Sequence, residues 1–418
     1  MKKSARIRDG QFIKHLDKSF SVPLPEMKRI MKAFRLEMER GLRGESSSLK
    51  MIPTYVDVPT GGERGKFLAL DLGGTNFRVL ELELKCNGKT AASRAMNFVL
   101  PKDCLTGTAD ELFDFLAACV KKFLAREKLN SQQRLGLGFT FSFPVYQTGV
   151  AAGTLGRWTK GFDVKSVVGE DVVGLLTAAL ARQGLGNIHV AALVNDTVGT
   201  LVARSYEDSS CDVGVILGTG TNACYREELS KIPKWKGPAA PDKHMIVNIE
   251  WGNFNKLRRT RYDEELDLSS DRPGEQILEK MVSGLYLGEA ARLALKDLVK
   301  GDKFAKKLSL TAKEMSGIES SRSAGPVKKV CGLVSRRASR VSAAAIAAIV
   351  TKMDPALSRN HTIAIDGALY EKHPHFAKNI SSGLKELLGP KSSRIKMALT
   401  KDGSGKGAAI IAAVVSRP

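Results

Sequence analysis

The chain has 418 residues, 43% of them apolar and 26% charged, a balance that excludes a wholly disordered or fibrous chain and leaves room for two or three compact units or one duplicated fold. Apolar runs such as Ala408–Val415 fall far short of the roughly 20 residues of a membrane-spanning helix. With 65 Lys and Arg against 44 Asp and Glu, the net charge of +21 favours anionic ligands without choosing among phosphorylated metabolites, nucleic acid and acidic lipid.

The first residues are basic, lack the apolar centre of a secretory leader and include Asp9 and Asp17, so they read as retained. From there Met27, Ile30, Met31, Phe34, Met38 and Leu42 recur every 3.6 residues and predict an amphipathic helix over 27–42. Phe67–Asp71 reads as a buried strand, Gly73-Gly74 as a turn and Phe77–Leu84 as the returning strand of a hairpin. Thr108 and Glu111 form a capping box ahead of the apolar face of Leu112, Phe115, Leu116, Cys119 and Phe123. A further strand is expected at Leu135–Phe139.

The second half repeats this rhythm. Strands at 190–194, 213–217 and 362–366 end in Asn195-Asp196, Gly218-Thr219-Gly220 and Asp366-Gly367, and the Gly-rich run 402–407 opens a last helix over 408–415. Such alternation predicts an α/β fold with ligand groups at the carboxyl ends of strands and two halves facing a cleft. Residues 300–329, rich in Lys and Ser with weak periodicity, read as a surface segment, and the stretches near 61–65 and 199–200 as hinges.

The basic clusters at Lys256–Arg261 and at Lys328, Lys329, Arg336, Arg337 and Arg340 carry no interleaved aromatics, so they read as solvated surface and no nucleic-acid partner is expected. Cys86, Cys104, Cys119, Cys211, Cys224 and Cys331 contain no CxxC pair, which points to a reducing compartment, the cytoplasm by default. Ser416-Arg417-Pro418 and the Arg6-Ile7 to His15-Leu16 spacing only approach peroxisomal addresses. His373 and His375 lack a Cys or acidic partner at zinc spacing and read as structural.

Asp71-Leu72-Gly73-Gly74-Thr75-Asn76 puts an acid at a strand end before two glycines whose backbone N–H groups can approach phosphate oxygens, although alone it is equally a hairpin turn. Asn195-Asp196 reads as a strand-end cap or as an acid with a chemical role.

These segments fall into a series: LDLGGTNFRVL (70–80), LGFTFSFPV (137–145), WTKGF (158–162), VNDTVGTL (194–201), ILGTGTNACY (216–225), NIEWGNF (248–254), EKMVSGLYLGE (279–289), DGALYEKHP (366–374) and DGSGKGAA (402–409). In this order they resemble the hexokinases, from about residue 20 to about residue 415. The resemblance implies a two-lobed actin-like ATPase (ribonuclease H-like) α/β fold with a central cleft, a small lobe of 62–197 plus 402–418 and a large lobe of 1–61 plus 198–401. It further implies ATP-dependent transfer of a phosphoryl group to the 6-hydroxyl of glucose and related hexoses.

Carried over residue by residue, it makes Asp196 the general base, with Lys160 and Arg78 as cations near the transferred group. It places Ser142, Phe143, Pro144, Thr159, Lys160, Asn195, Asp196, Asn222, Glu250 and Glu289 at the sugar. Asp71, Gly73, Gly74, Thr75, Asn76, Arg78, Gly218, Thr219, Ser335, Gly367 and Ser404 fall at MgATP, Asp71 holding Mg²⁺ through water. Trp158 and Trp251 read as sugar walls or as core, and Lys406 as an anion-site or solvated lysine. The sequence departs from the pattern at Ala368, where Ser is usual, at Thr221, where Cys or Ser is commoner, and in a shorter 290–329 stretch. The change at Thr221 is mild; Ala368 and the shorter stretch bear on the nucleotide side and keep a second reading open, a sugar sensor with weak or no transfer. One copy of the motifs, no membrane span and a monomer or weak homodimer are expected.

Overall fold

The computed structural model describes residues 2–74, 76–86, 88–129, 133–237, 244–298, 309–322 and 325–416, with the backbone alone at 2–9, 76, 91, 92 and 298. In chain order its strands are β1 (Ile52–Pro53), β2 (Gly65–Leu72), β3 (Asn76–Lys85), β4 (Lys89–Val99), β5 (Leu135–Phe141), β6 (Val145–Gly149), β7 (Ala152–Leu155), β8 (Ile188–Val194), β9 (Cys211–Leu217), β10 (Thr221–Glu228), β11 (His244–Asn248), β12 (His361–Asp366) and β13 (Ile395–Leu399).

They form two large sheets of one design. The first runs β4-β3-β2-β5-β8, the second β11-β10-β9-β12-β13 with β1 added beyond β11. In each, three antiparallel strands are followed by two that run parallel to the first of them. The duplicated fold allowed by the chain length is thus visible as a repeated topology. The parallel strands β5, β8, β9 and β12 are buried almost throughout because both faces are covered.

The halves interlock through their last helices. Asp196–Glu207 follows β8 of the first sheet but packs on β9, β10 and β12 of the second, while Gly403–Val415 follows β13 of the second but packs on β2, β5 and β8 of the first. The two helices cross where a side chain on Gly407 would run into the carbonyl of Gly199, and one on Gly199 into the backbone of Ser404. Residues 199–200, read from sequence as a hinge, therefore lie inside a helix, and the glycine there serves close approach. A core layer of Val194, Val198, Leu201, Val202, Cys224, Ile246 and Ala408–Ala413 fills the junction.

The 27–42 helix is observed as Leu24–Arg43, closed by Gly44 in the left-handed conformation. The capping box at Thr108 and Glu111 starts the helix Ala109–Arg126. Two segments go further than the sequence reading. The basic N-terminal stretch is a helix, Lys2–Phe20, that buries Leu16 and Phe20 and packs on the long helix Pro326–Met353. Within 300–329, residues 299–308 and 323–324 lie outside the described residues, but Ala312–Ser320 is a helix with its own capping box, Thr311 with Glu314, and a buried Met315. Its short length hides the apolar period.

At the sheet end away from the cleft, Asp208 accepts bonds from Ser210 and Thr362, and Asp354 from the Ser358 and Arg359 amides, beside the buried His361. Burial pushes each carboxyl up, yet these bonds outweigh it and bring both to about 2. Because the folded values lie below an unfolded Asp near 3.9, their stabilisation is complete above about pH 5 and is lost as pH falls through about 2. Urea midpoints should drop between roughly pH 5 and pH 2, and less steeply in Asp354→Asn.

Candidate functional site

The site gathers where parallel strands end. Asp71 comes at the end of β2, Ser142 after β5, Asn195-Asp196 after β8, Gly218 after β9 and Gly367 after β12. Two sheets of one topology bring these edges face to face.

Asn195 caps the 196–207 helix, its Oδ1 accepting the Thr197 N–H at 3.0 Å. Asp196 opens that helix; its Oδ1 accepts from the Thr197 N–H at 2.8 Å and from the Thr197 hydroxyl at 3.2 Å. Across from it, β10 and β11 supply an amide and carboxylate network. Asn222 Nδ2 donates to Asn248 Oδ1 at 2.9 Å and to Glu250 Oε1 at 3.1 Å, with Asn195 Oδ1 at 3.5 Å. Asn248 Nδ2 donates to Glu250 Oε1 at 2.9 Å. Asn222 Oδ1 accepts the Ala223 and Trp251 amides. Glu250 itself sits at φ 56, ψ 50, a left-handed backbone uncommon outside glycine.

Glu279, on the helix Ile277–Val282, completes this side: its Oε2 accepts the Thr221 N–H at 3.0 Å. Burial raises its carboxyl, and the charges of Glu250 and Asp196 add to the rise while Lys160 opposes it. Lys160, left-handed at φ 60, donates from Nζ to the carbonyls of Gly73 and Ser142, both at 2.8 Å, and lies 5.3 Å from the Phe143 ring centroid. It thereby ties the WTKGF turn to the Gly73-Gly74 turn. Thr159 and Pro144 are half-buried in the same segments.

On the other side Asp71 Oδ2 accepts the Ser404 hydroxyl at 2.6 Å and lies 3.6 Å from Arg78, whose Nη1 meets Asp402 at 2.7 Å. Burial lifts the Asp71 carboxyl, Ser404 and Arg78 oppose that, and Asp196 reinforces it. Asp366 is lifted likewise by burial, with Asp402 and Asp196 adding to it. Asp196 is thus the acid whose charge reaches Glu279 on one side and Asp71 and Asp366 on the other. Gly367, at φ 126, passes so close to Leu217 and Gly218 that a Cβ would collide with their backbone; the loops after β9 and β12 touch because it is glycine. Gly218 and Thr219 carbonyls accept the Gly284 and Leu285 amides, the start of the helix Gly284–Leu298.

Two expected residues are bonded within the helix layer. Glu289, half-buried, pairs with Arg292 on its own helix, at 2.7 and 2.6 Å, while Glu279, ten positions earlier in the same motif, is the acid bonded to the Thr221 amide. Ser335 is 1% exposed and gives its hydroxyl to the buried Glu319 and to the Gly332 carbonyl, so it faces the interior of the helix layer. Thr75 lies outside the described residues, and Asn76 is seen only as the start of β3. Both tryptophans are core: Trp158 packs on Phe141, Phe143 and Phe162, and Trp251 is fully buried with its Nε1–H on Thr221.

Asn248 and Glu279 were the residues the sequence reading missed. Each had a signal: Asn248 is an amide two positions before Glu250 in the same motif, and Glu279 is an acid inside the otherwise buried run Ile277, Leu278, Met281, Val282.

Known proteins bear on this arrangement. Family profiles described as Hexokinase match residues 12–206 and 212–414. Hexokinase-2 of Oryza sativa subsp. japonica is 41% identical, covering 98% of this chain and 92% of its own. Hexokinase-1 of Nicotiana tabacum is 40% identical over 99% of this chain and 93% of its own. Among solved structures, the hexokinase from Schistosoma mansoni complexed with glucose superposes with a TM-score of 0.85 at 35% identity, covering 97% of this chain and 99% of that one. Among the described residues no helix is long and apolar enough to cross a membrane.

Proposed function

This chain belongs to the hexokinase family, and from that premise we propose how its residues divide the work of moving the γ-phosphoryl group of ATP to the 6-hydroxyl of glucose and related hexoses. The reading assigns the hexose to Asn195, Asp196, Asn222, Glu250 and Glu279, with Ser142, Thr159 and Lys160 from the facing segments. Each sugar hydroxyl both donates and accepts, and an amide and carboxylate set pairs it in both senses, so ligands lacking a hydroxyl leave buried polar groups unpaired.

The observation that carries the reading is the position of Asp196 at the first turn of the helix after β8, held by Thr197 and next to Asn195, whose Oδ1 meets the Asn222 amide; its charge also adds to the rise of the Glu279, Asp71 and Asp366 carboxyls. Asp196 accepts the proton of the 6-hydroxyl as transfer proceeds. In a loose transition state the nucleophile loses its proton late, so the carboxylate orients first and accepts second. The Thr197 amide and hydroxyl hold the carboxylate. Lys160 and Arg78 supply positive charge toward the transferred group, and the loops at Gly73-Gly74, Gly218-Thr219, Gly367 and Ser404 receive the nucleotide.

The donor set beside Asp71, one carboxylate and one hydroxyl, fits Mg²⁺, which keeps most of its waters. When bound, Mg²⁺ supplies charge to the phosphate oxygens. Lobes of 62–197 plus 402–418 and 1–61 plus 198–401 would close over the cleft and exclude water as a competing acceptor.

The assignment is tested by sugars and by a pair of variants. Glucose should release ADP from MgATP, whereas 6-deoxyglucose should compete with it without being phosphorylated. Glu279→Ala should raise the glucose KM by about 10- to 100-fold, as expected for lost bonds to a charged group, and Glu289→Ala should leave it within about twofold. The opposite ranking would return Glu289 to the sugar.

A further inference from the structure

Asn248 is 6% exposed, at the end of β11 opposite Cys224 of β10 and Ile52 of β1. Its side chain bonds in both senses: Nδ2 donates to Glu250 Oε1 at 2.9 Å, and Oδ1 accepts from Asn222 Nδ2 at 2.9 Å. The 3.1 Å bond from Asn222 to the same Glu250 oxygen closes a triangle. An amide can donate and accept at once, which neither a carboxylate nor an ammonium can do.

We propose that Asn248 is a positioning residue for the hexose: it locks Asn222 and Glu250 to each other, saturates Glu250 Oε1 and leaves Oε2 as the oxygen that accepts a sugar O–H. The Glu250 backbone is in the left-handed region at φ 56, a conformation that persists only where its surroundings over-determine it. The Asn248 amide is one of those restraints, since its Oδ1 also faces the Glu250 N–H at 3.4 Å. Two backbone amides on Oδ1 already hold the Asn222 amide plane, so the restraint that Asn248 adds falls chiefly on Glu250. The inference rests on the hexokinase reading given above.

Asn248→Ala removes both bonds. Asn248→Asp keeps the acceptor for Asn222 but sets a second carboxylate against Glu250, in a site where the neighbouring Glu279 carboxyl feels Glu250, Asp196 and Lys160. Two carboxylates in hydrogen-bond contact favour holding one proton between them, and that proton restores the missing donor. Asn248→Ala should therefore raise the glucose KM about 10- to 100-fold while leaving the ATP KM within about twofold. Asn248→Asp should show a glucose KM far above the parent's at pH 8 that falls toward it by pH 6, a slope the parent lacks.

The same variants are read for sugar binding by the rise in Tm that glucose produces, which needs no turnover. A parent enzyme that glucose stabilises but does not phosphorylate would remove the functional reading and leave the Asn248 comparison intact. The positioning role is overturned if Asn248→Ala keeps the glucose KM within twofold, if the glucose and ATP KM rise together, or if the Asn248→Asp profile runs parallel to the parent's. Should Asn248→Ala not fold, Asn248→Val, which is β-branched and suits a strand but carries no polar side-chain atom, is read in the same way. Failure of both to fold would make Asn248 a residue of the fold alone and overturn the proposal.

Discussion

Asp196→Ala is expected to lower kcat by about 10²- to 10⁴-fold, the range for loss of a positioned acid or base, while glucose still raises the Tm of the variant. The split follows from the geometry. The sugar retains Asn222, Glu250 and Glu279, whose network does not pass through Asp196. Asn195 continues to cap the helix through the Thr197 amide, so the backbone beneath position 196 should stay in place. What disappears is the proton acceptor and the charge that Asp71, Glu279 and Asp366 all feel. With that charge gone, those three carboxyls should titrate lower, and the acid limb of any residual rate should move down in pH. Single-turnover measurement of ADP release at several pH values checks both parts. An equal loss of kcat and of glucose stabilisation would instead mark Asp196 as a binding residue.

Arg337→Ala is expected to cost about 3–5 kcal/mol of folding stability, the usual penalty for stranding one partner of a buried ion pair. Arg337 is 3% exposed and grips Asp263 with both terminal nitrogens, at 2.6 and 2.7 Å, while its guanidinium lies 4.7 Å from the Phe20 ring centroid. It joins three elements: the end of the Lys2–Phe20 helix, the helix Arg261–Leu268 that Asp263 helps to cap, and the long Pro326–Met353 helix. Burial opposes the Asp263 charge, but Arg337 and the Thr260 bonds hold its carboxyl below the ordinary range. That stabilisation is present above an unfolded Asp pKa and is lost as pH falls below it. The variant should therefore lose most at neutral pH and less in acid, where the stranded Asp263 takes up a proton. Replacing the pair together, as Arg337→Met with Asp263→Leu, should recover most of the loss. Urea unfolding of the single and double variants at pH 7 and pH 4 measures it. An equal loss in both would assign the cost to packing against Phe20.

How far the sequence reached is clearest at particular residues. The strand ends at Asp71, Asn195-Asp196, Gly218 and Gly367 were legible because short apolar runs broken by Gly, Asn or Asp carry a local signal. The capping box at Thr108 was legible for the same reason. The exchange of the last helices between sheets was not, because it depends on contacts such as Gly407 on Gly199 that no local pattern encodes. Glu289 and Glu279 share one motif and one chemistry. Only the turn after Val282 that separates their two helices decides which acid reaches Thr221 and which turns back to Arg292. Ser335 is similar, since a serine on a long helix says nothing of the Glu319 carboxylate that its hydroxyl reaches. Asn248 was within a quoted motif, yet a residue that acts by holding others shows itself only through the bonds it makes.

The most direct test is to incubate the protein with MgATP and glucose, follow ADP, and locate the new phosphate on the sugar by phosphorus NMR. The account predicts ADP release that depends on the hexose and a single product bearing phosphate on its 6-oxygen. Glucose that stabilises the protein while no nucleotide is consumed would contradict it, and would leave a sugar sensor with Ala368 at its nucleotide loop as the better description.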